Sequence, residues 1–353
     1  MESDKRIRVV VVDDSLMFRT AIARGLSVDE QIEVVATARD PHDARDKIIQ
    51  TNPDVLTLDV EMPGMSGLEF LRILMPQHPM PVVMVSAADG VVFDAMRAGA
   101  VDFVAKPEAG QMDAFLRELA LKVRIAAIAK TNRAVARSTE NGIRMPDVPF
   151  AAQANVRKWN PRTIVALGAS TGGTEATSTI LKALPAHFPP VVIVQHMPPV
   201  FTGMYAERLN RESNLAVTEA ADGEPILPGH VYIAPGGSQM VVEKQGAAYC
   251  IKYRGEEKVG GHCPSVDVLF NSVAEAAGVN AIGILLTGMG ADGAEGLLHM
   301  RKAGAYTIGQ DQQSCVVYGM PMEAMKRGAV VQQAPLEVIP GALINRLRME
   351  KRY

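Results

Sequence analysis

The chain has 353 residues, more than one hydrophobic core usually serves, so two domains are the natural expectation. Its 36 basic and 39 acidic residues give a formal net charge of -3 and are scattered, which argues against a nucleic-acid-binding protein. No apolar run approaches the roughly 20 residues needed to cross a bilayer, and the N-terminus lacks the apolar region of a signal peptide. We therefore expect a soluble, cytoplasmic protein without membrane insertion, acting on a small molecule or a protein.

The first third of the chain alternates short apolar runs with amphipathic helical stretches, from Ile7 to about Lys130. Five repeats with short turns predict a doubly wound parallel sheet, and the ligands of such sheets collect at the carboxyl ends of the strands. The last helix of this domain begins near Gln111. We place the domain at residues 1–129, with strands near 7–12, 32–36, 54–58, 81–86 and 101–104.

The periodic pattern decays into TNRAVARSTENGIRMPDVP, which predicts a linker over residues 130–159. A new strand, TIVALG, then opens a second domain at 160–353, and VVIVQ, AIGILLT and AYTIG follow it. Between them, HVYIAPGGSQMVVEKQGAAYCIKYRG has the short strands and glycine-rich turns of antiparallel hairpins. The second domain is therefore predicted to be a doubly wound, mostly parallel α/β sheet with an antiparallel β insertion.

Three cysteines are too few and too far apart to build a site. They are odd in number and show no CxxC spacing, which predicts neither a disulfide framework nor a zinc site. We expect Cys250, Cys263 and Cys315 to be packing side chains in a reducing compartment.

Three carboxylates follow strands of the first domain, namely Asp13, Asp14 and Asp59. Carboxylates gathered at neighbouring strand ends repel one another unless a cation joins them, and Mg2+ suits a few oxygen ligands. The alternative is that Asp13 and Asp14 merely cap the helix starting at Ser15. We favour the metal because the other strand ends are polar and complementary.

Those other strand ends carry Ser86 and Lys106. Asp59 can attack a phosphoryl donor to form an acyl phosphate, while Lys106 and Ser86 contact the phosphoryl oxygens. Pro107 favours an extended or cis junction that aims Lys106 inward, although an ordinary surface lysine is the alternative. Phe103 is either a core side chain or a rotamer switch.

The segments VVVVDDS, LTLDVEMPGMSGLEF, VVMVSAAD and DFVAKP resemble the receiver domain of bacterial two-component response regulators. The resemblance covers the first third of the chain and implies a flavodoxin-like (βα)5 fold. It also implies phosphorylation at Asp59, metal carboxylates at Asp13 and Asp14, and switch positions at Ser86 and Phe103. Many receivers carry Tyr at the latter position, so a switch role for a phenolic hydroxyl is absent here.

In the second domain, Ser170 lies in LGASTGG, between a strand and a helical run. The segment matches G-x-S-x-G, which exposes a serine above a sheet and supplies backbone N–H groups to an oxyanion. The alternatives are a simple helix cap and a phosphate-binding loop. A dinucleotide-binding loop needs an acidic residue closing the next strand, and this chain has Gln195 and His196 there.

A histidine at that strand end can take the proton of Ser170, and a third strand carries Asp292 just beyond its end. Three strand ends thus offer a nucleophile (Ser170), a base (His196) and an orienting carboxylate (Asp292), as acyl transfer requires. The chain order Ser, His, Asp differs from that of the α/β hydrolases, so that fold is not indicated.

Several residues compete for these roles. His262 is a rival base or a substrate contact, while Asp222 and Asp267 are weaker rivals to Asp292. The backbone N–H groups of Thr171 and Met289 are candidates for an oxyanion hole, the alternative being that they only shape their turns.

The segments GASTGG, VQHMPP, APGG, HCPSVD and LTGMGADGAEG resemble the chemotaxis protein-glutamate methylesterase family, CheB. The resemblance, with the receiver in front, spans essentially the whole chain. It implies hydrolysis of glutamyl methyl esters on chemoreceptors and often deamidation of glutamines, with Ser170, His196 and Asp292 as the triad. It implies Mg2+ beside Asp59 and no metal at Ser170.

The resemblance also implies two partners, methylated chemoreceptors as substrate and the histidine kinase of the chemotaxis pathway as phosphodonor. We expect the receiver to mask the second site until Asp59 is phosphorylated, and the protein to be a monomer. The alternatives are a nucleotide- or ligand-binding signalling module without esterase activity, and an adaptor that acts through protein contact alone.

Overall fold

In a computed structural model of the chain, the described residues are 6–87, 90–130 and 159–349. They form two compact units, one on each side of residues 131–158. The predicted linker at 130–159 therefore lies almost wholly outside the described residues. The domain boundaries stay predictions.

The first unit is a five-stranded parallel sheet in the order β2-β1-β3-β4-β5. This flavodoxin-like order confirms the predicted doubly wound sheet. Its strands are β1 (Ile7–Val12), β2 (Ile32–Ala38), β3 (Val55–Asp59), β4 (Val82–Ser86) and β5 (Asp102–Ala105). Its helices are α1 (Leu16–Leu26), α2 (Pro41–Thr51), α3 (Gly67–Gln77), α4 (Val91–Ala98) and α5 (Met112–Ile128).

Local chemistry explains where the helices of this unit begin. The Ser15 side chain caps α1 by accepting a hydrogen bond from the N–H of Phe18. Ser66 and Glu69 form a reciprocal capping box at the start of α3. Every residue of β3 and β4 is buried, which fits strands covered by helices on both faces.

The second unit contains nine strands and six α-helices among the described residues. The strands are β6 (Ile164–Ala169), β7 (Val191–Gln195), β8 (Ala216–Glu219), β9 (His230–Ile233), β10 (Met240–Gln245), β11 (Ala248–Tyr253), β12 (Ala281–Leu285), β13 (Tyr306–Gln310) and β14 (Gln332–Ala334). The helices are α6 (Gly173–Lys182), α7 (Pro199–Glu212), α8 (Val266–Ala277), α9 (Ala294–Lys302), α10 (Met320–Lys326) and α11 (Ile339–Met349), with 3-10 turns at Gly278–Asn280 and Leu336–Val338.

Seven of these strands form one sheet in the order β14-β13-β12-β6-β7-β9-β8, and every pairing in it is parallel. Strands β10 and β11 pair antiparallel, so the predicted hairpin is present. The prediction was wrong for HVYI, because this segment is β9 and joins the parallel sheet. Val231 to Ile233 are buried on both faces, which is typical of a parallel strand inside a sheet.

The hairpin and α8 cover one face of the large sheet. Val242 and Ile251 of the hairpin and Leu269 and Phe270 of α8 are buried in one core with Val194 of β7. The strands β12, β6 and β7 are neighbours in the middle of this sheet, and every residue in them is buried. Among the described helices, none has the length and apolar character of a membrane span.

Candidate active site and phosphorylation site

Adjacent strands of the large sheet bring Ser170, His196 and Asp292 to one edge. Ser170 follows β6 directly, His196 follows β7 directly, and Asp292 lies in the turn between β12 and α9. Because β12, β6 and β7 are parallel neighbours, their carboxyl ends meet at the same edge of the sheet. Ser170 and Asp292 are both buried.

The turn that carries Ser170 is fixed by its backbone. The N–H of Ser170 donates to the carbonyl of Thr287 (3.0 Å), and the N–H of Gly173 donates to the carbonyl of Ser170 (2.7 Å). Gly172 has φ +78°, a left-handed conformation that glycine adopts without strain. The N–H of Ser170 is thus already bonded, which leaves the oxyanion role to other backbone groups.

Gln195 ties the nucleophile turn to the next strand end. Its Nε2 donates to the carbonyl of Ser170 at 2.9 Å and, more weakly, to that of His196 at 3.3 Å. A Cβ built on Gly173 would lie 2.2 Å from Oε1 of Gln195, so the missing side chain of Gly173, just after the motif, makes room for this amide. In the sequence analysis, Gln195 showed only that no acidic residue closes this strand, and its hydrogen-bonding role was missed. The amide fills the position where a dinucleotide site needs a carboxylate, so that alternative is not favoured.

His196 and Asp292 are joined by a hydrogen bond of 2.8 Å between Nε2 and Oδ2. Nδ1 of His196 is buried and has no hydrogen-bond partner in the described parts of the chain, so it is the ring nitrogen left to act as a base. Burial alone would raise the pKa of Asp292, but the hydrogen bond and charge of His196 and two backbone N–H groups lower it to about 2. The carboxylate is therefore ionised at neutral pH.

The start of α8 holds Asp292 from the other side. Ser265, the N-cap residue, donates its hydroxyl to Oδ1 at 2.8 Å. The backbone N–H of Val266 donates to Oδ2 (2.8 Å), and that of Asp267 donates to Oδ1 (3.0 Å). A carboxylate at a helix N-terminus is stabilised by such donors. Ser265 belongs to the segment HCPSVD, but the sequence analysis gave it no role.

The rival residues lie in different places. Asp267 accepts a hydrogen bond from the N–H of Gly296 (2.6 Å) and borders Asp292. Asp222 is exposed beside the hairpin, where it accepts from the N–H of Tyr253 (2.9 Å). His262 does reach the site, since its ring stacks on that of His196.

The candidate oxyanion residues lie on two loops joined by Thr287. Its hydroxyl donates to the carbonyl of Thr171 (3.0 Å), while its own carbonyl accepts from Ser170. Thr171 is buried, and Met289 lies two residues after Thr287 with a half-exposed side chain. The oxyanion role of the two N–H groups stays a prediction.

In the first unit, carboxylate oxygens of Asp13, Asp14 and Asp59 lie within 4.8 Å of one another. Asp13 and Asp59 are buried, and Oδ2 of each has no hydrogen-bond partner among the described residues. Burial, followed by the negative charge of Asp59, raises the pKa of Asp13 to about 6. Buried, unpartnered carboxylate oxygens fit a hard divalent cation. The N-cap residue of α1 is Ser15 and not either aspartate, although Oδ1 of Asp13 accepts the backbone N–H of Ser15 at 2.9 Å.

Lys106 completes this cluster by pairing its Nζ with Oδ1 of Asp59 at 2.7 Å. Its backbone N–H donates to the carbonyl of Ser86 (2.7 Å), the buried last residue of β4. The surface-lysine alternative is therefore wrong. The aim of Lys106 needs no cis bond, because the one cis peptide in the described ranges is Cys263–Pro264.

Phe103 lies inside the first unit as a core side chain. It is buried in β5, and its ring packs edge-on against Phe93 of α4 with centroids 6.1 Å apart. A switch role for Phe103 stays a prediction.

Comparison with known proteins divides the chain in the same way. The model of the response regulator receiver domain matches residues 9–117, and that of the CheB methylesterase matches residues 165–343. A protein-glutamate methylesterase/protein-glutamine glutaminase from Syntrophomonas wolfei is 53% identical over 349 residues, which cover 97% of this chain and 99% of that protein. A Salmonella typhimurium protein of the same name is 47% identical over 352 residues, covering 97% of each chain. The crystal structure of the Thermotoga maritima CheB methylesterase catalytic domain matches 52% of this chain and 98% of its own, with 39% identity and a TM-score of 0.51.

Proposed function

The chain belongs to the CheB methylesterase family, and we propose that it hydrolyses glutamyl methyl esters on bacterial chemoreceptors with Ser170, His196 and Asp292 as its triad. The relatives' names support a second reaction, conversion of glutamine to glutamate. The 2.8 Å hydrogen bond from Nε2 of His196 to Asp292, beside the strand end that carries Ser170, is the observation on which the triad rests.

In the proposed reaction, Oγ of Ser170 attacks the ester carbonyl carbon and its proton passes to Nδ1 of His196. Asp292, bonded to Nε2, stabilises the imidazolium. The N–H groups of Thr171 and Met289 face the oxyanion. His196 then gives its proton to the leaving methoxide, so methanol departs and a glutamyl ester of Ser170 remains.

Water completes the cycle by the same route. The oxygen of a water molecule attacks the acyl carbon while His196 takes a proton from that water. His196 then returns a proton to Ser170 as the glutamate carboxylate leaves. With a glutamine side chain, ammonia leaves in place of methanol.

The receiver domain makes this enzyme a response regulator whose activity depends on phosphorylation. We propose Asp59 as the phosphorylated residue, Lys106 and Ser86 as contacts of the phosphoryl oxygens, and Asp13, Asp14 and Asp59 as the residues that would hold Mg2+. The buried, unpartnered oxygens of Asp13 and Asp59 support this assignment. Bound Mg2+ would neutralise the carboxylates and the phosphoryl charge.

The proposed partners are chemoreceptors as substrate and a histidine kinase as phosphodonor. Cytoplasmic location, monomeric state and masking of the esterase by the receiver stay predictions.

Methanol release from methylated chemoreceptor membranes tests the proposal, with and without a small phosphodonor and Mg2+. We expect release that rises with the phosphodonor, is abolished in Ser170→Ala, and is no longer stimulated in Asp59→Asn. Turnover retained in Ser170→Ala would overturn the nucleophile assignment. No release by correctly folded wild-type protein would overturn the esterase function.

A further inference from the structure

A second histidine lies face to face with His196. The ring centroids of His196 and His262 are 3.8 Å apart and their planes differ by 6°. The contact covers a face of the imidazole whose edge atoms are Nε2, bonded to Asp292, and the buried Nδ1. His262 therefore touches the proposed general base without occupying either of its nitrogens.

The His262 loop is built into the site by a buried glutamine. Nε2 of Gln239 donates to the carbonyls of His262 (3.0 Å) and Glu257 (2.9 Å), and its Oε1 accepts from the N–H of Ser265 (2.9 Å). Ser265 in turn donates to Asp292 (2.8 Å). One side chain thus fixes both the loop that carries His262 and the cap that holds Asp292.

We propose that His262 is a positioning residue that acts through His196, by holding its ring plane and by stabilising its imidazolium with a neutral aromatic face. This inference rests on the proposed function, because the imidazolium forms when His196 takes the proton of Ser170. A cation over an aromatic face is stabilised, whereas two stacked cations repel. His262 must therefore be neutral for the step to proceed.

Two carboxylates lie near the stacked rings. Asp292 bonds His196, and Asp267 at the start of α8 borders Asp292. Cys263, the residue after His262, is acted on by the charges of Glu256 and Lys258 on the same loop. None of these groups changes in the variants below. A difference between the pH profiles of the wild type and the variants therefore reports on position 262.

The test compares His262→Ala, which removes the stacked ring, with His262→Phe, which keeps a ring that cannot titrate. His230→Phe is the matched control, because His230 stacks on Tyr232 (4.5 Å, 14°) at the start of β9, the opposite end of its strand from the site. Methanol release is measured against substrate concentration and pH, and thermal unfolding checks folding.

We expect His262→Ala to lower kcat roughly 10-fold with KM changed less than about twofold. His262→Phe should keep kcat within about threefold of wild type, and its acid limb should show one ionisation where the wild type shows two, since stacked imidazoles titrate as a pair. His230→Phe should match wild type. An unchanged kcat in His262→Ala, or identical acid limbs in wild type and His262→Phe, overturns the inference while leaving the proposed function intact.

NMR titration of labelled histidines gives a readout that needs no turnover. The ring signals of His196 should follow a two-step curve in the wild type and a single step in His262→Phe. A single step in both proteins would overturn the inference. Loss of methanol release in the wild type itself would instead overturn the proposed function, and the titration would still test the coupling of the two rings.

Discussion

Asp292 accepts the hydrogen bond of His196 Nε2–H on the same carboxylate oxygen, Oδ2, that accepts the backbone N–H of Val266. Its other oxygen accepts from Ser265 and Asp267. Both oxygens thus face only donors. This geometry fixes the tautomer of His196 with the proton on Nε2 and leaves Nδ1 as the base.

Asp292→Asn should therefore impair both activity and stability. Whichever carboxylate oxygen the amide NH2 replaces, the NH2 would face an N–H donor. The histidine would also lose its fixed tautomer. We expect kcat to fall on the order of 10³- to 10⁴-fold. The midpoint of urea unfolding should fall too, because buried donors lose their acceptor. Phosphorylation of Asp59 is the internal control and should be unchanged; kcat within tenfold of wild type would contradict the assignment.

The lowered pKa of Asp292 predicts a pH dependence of the free energy of unfolding. The pKa of Asp292 is lowered from 3.8 to about 2 in the folded protein, so its ionised form is stabilising above the unfolded pKa. That stabilisation, roughly 2 kcal/mol, should be present at pH 5 and lost as the pH falls through about 2. The unfolding free energy of the wild type minus that of Asp292→Asn, measured between pH 5 and 2, should shrink accordingly. A constant difference would show that Asp292 is not so perturbed.

Gly288 supports the nucleophile through its missing side chain. A Cβ at this position would lie 2.7 Å from Cβ of Ser170 and 2.3 Å from Sδ of Met320. We expect Gly288→Ala to displace Ser170 and lower kcat roughly 100-fold, with destabilisation of about 1–3 kcal/mol. Gly341→Ala in α11 is the control, because nothing lies within 4 Å of its built Cβ and helix propensity should stabilise it slightly. Equal activity of the two variants would refute the steric argument.

Metal removal should separate the two sites. Asp13, Asp14 and Asp59 form the one group of carboxylates in the described residues that could hold a metal ion. We expect EDTA to abolish stimulation by a small phosphodonor while methanol release without phosphodonor continues at its basal rate. Asp59→Asn provides the reference, since its basal rate should be the same with and without EDTA. An EDTA-sensitive basal rate in that variant would place a required metal at the esterase site.

The amino-acid sequence by itself predicted a parallel sheet in each domain and named the proposed reacting groups. Strand runs such as VVVVDD and VVIVQH place a polar residue directly after a buried strand, and parallel neighbours must bring such residues to one edge. The sequence therefore predicts that two groups of residues lie close together. One group is Ser170, His196 and Asp292, and the other is Asp13, Asp14, Asp59 and Lys106.

Only the tertiary structure decided which side chains hold those groups in place. Gln195, Gln239 and Thr287 bond to loops that are 18 to 116 residues away in the chain, and His262 stacks on His196 from a loop between the hairpin and α8. Local patterns fix period and burial, but the direction of a loop and the partner of its amide depend on packing between distant segments. For the same reason the pairing of β9 was mispredicted, because its four residues fit either kind of sheet. Only β7 on one edge and β8 on the other select the parallel one.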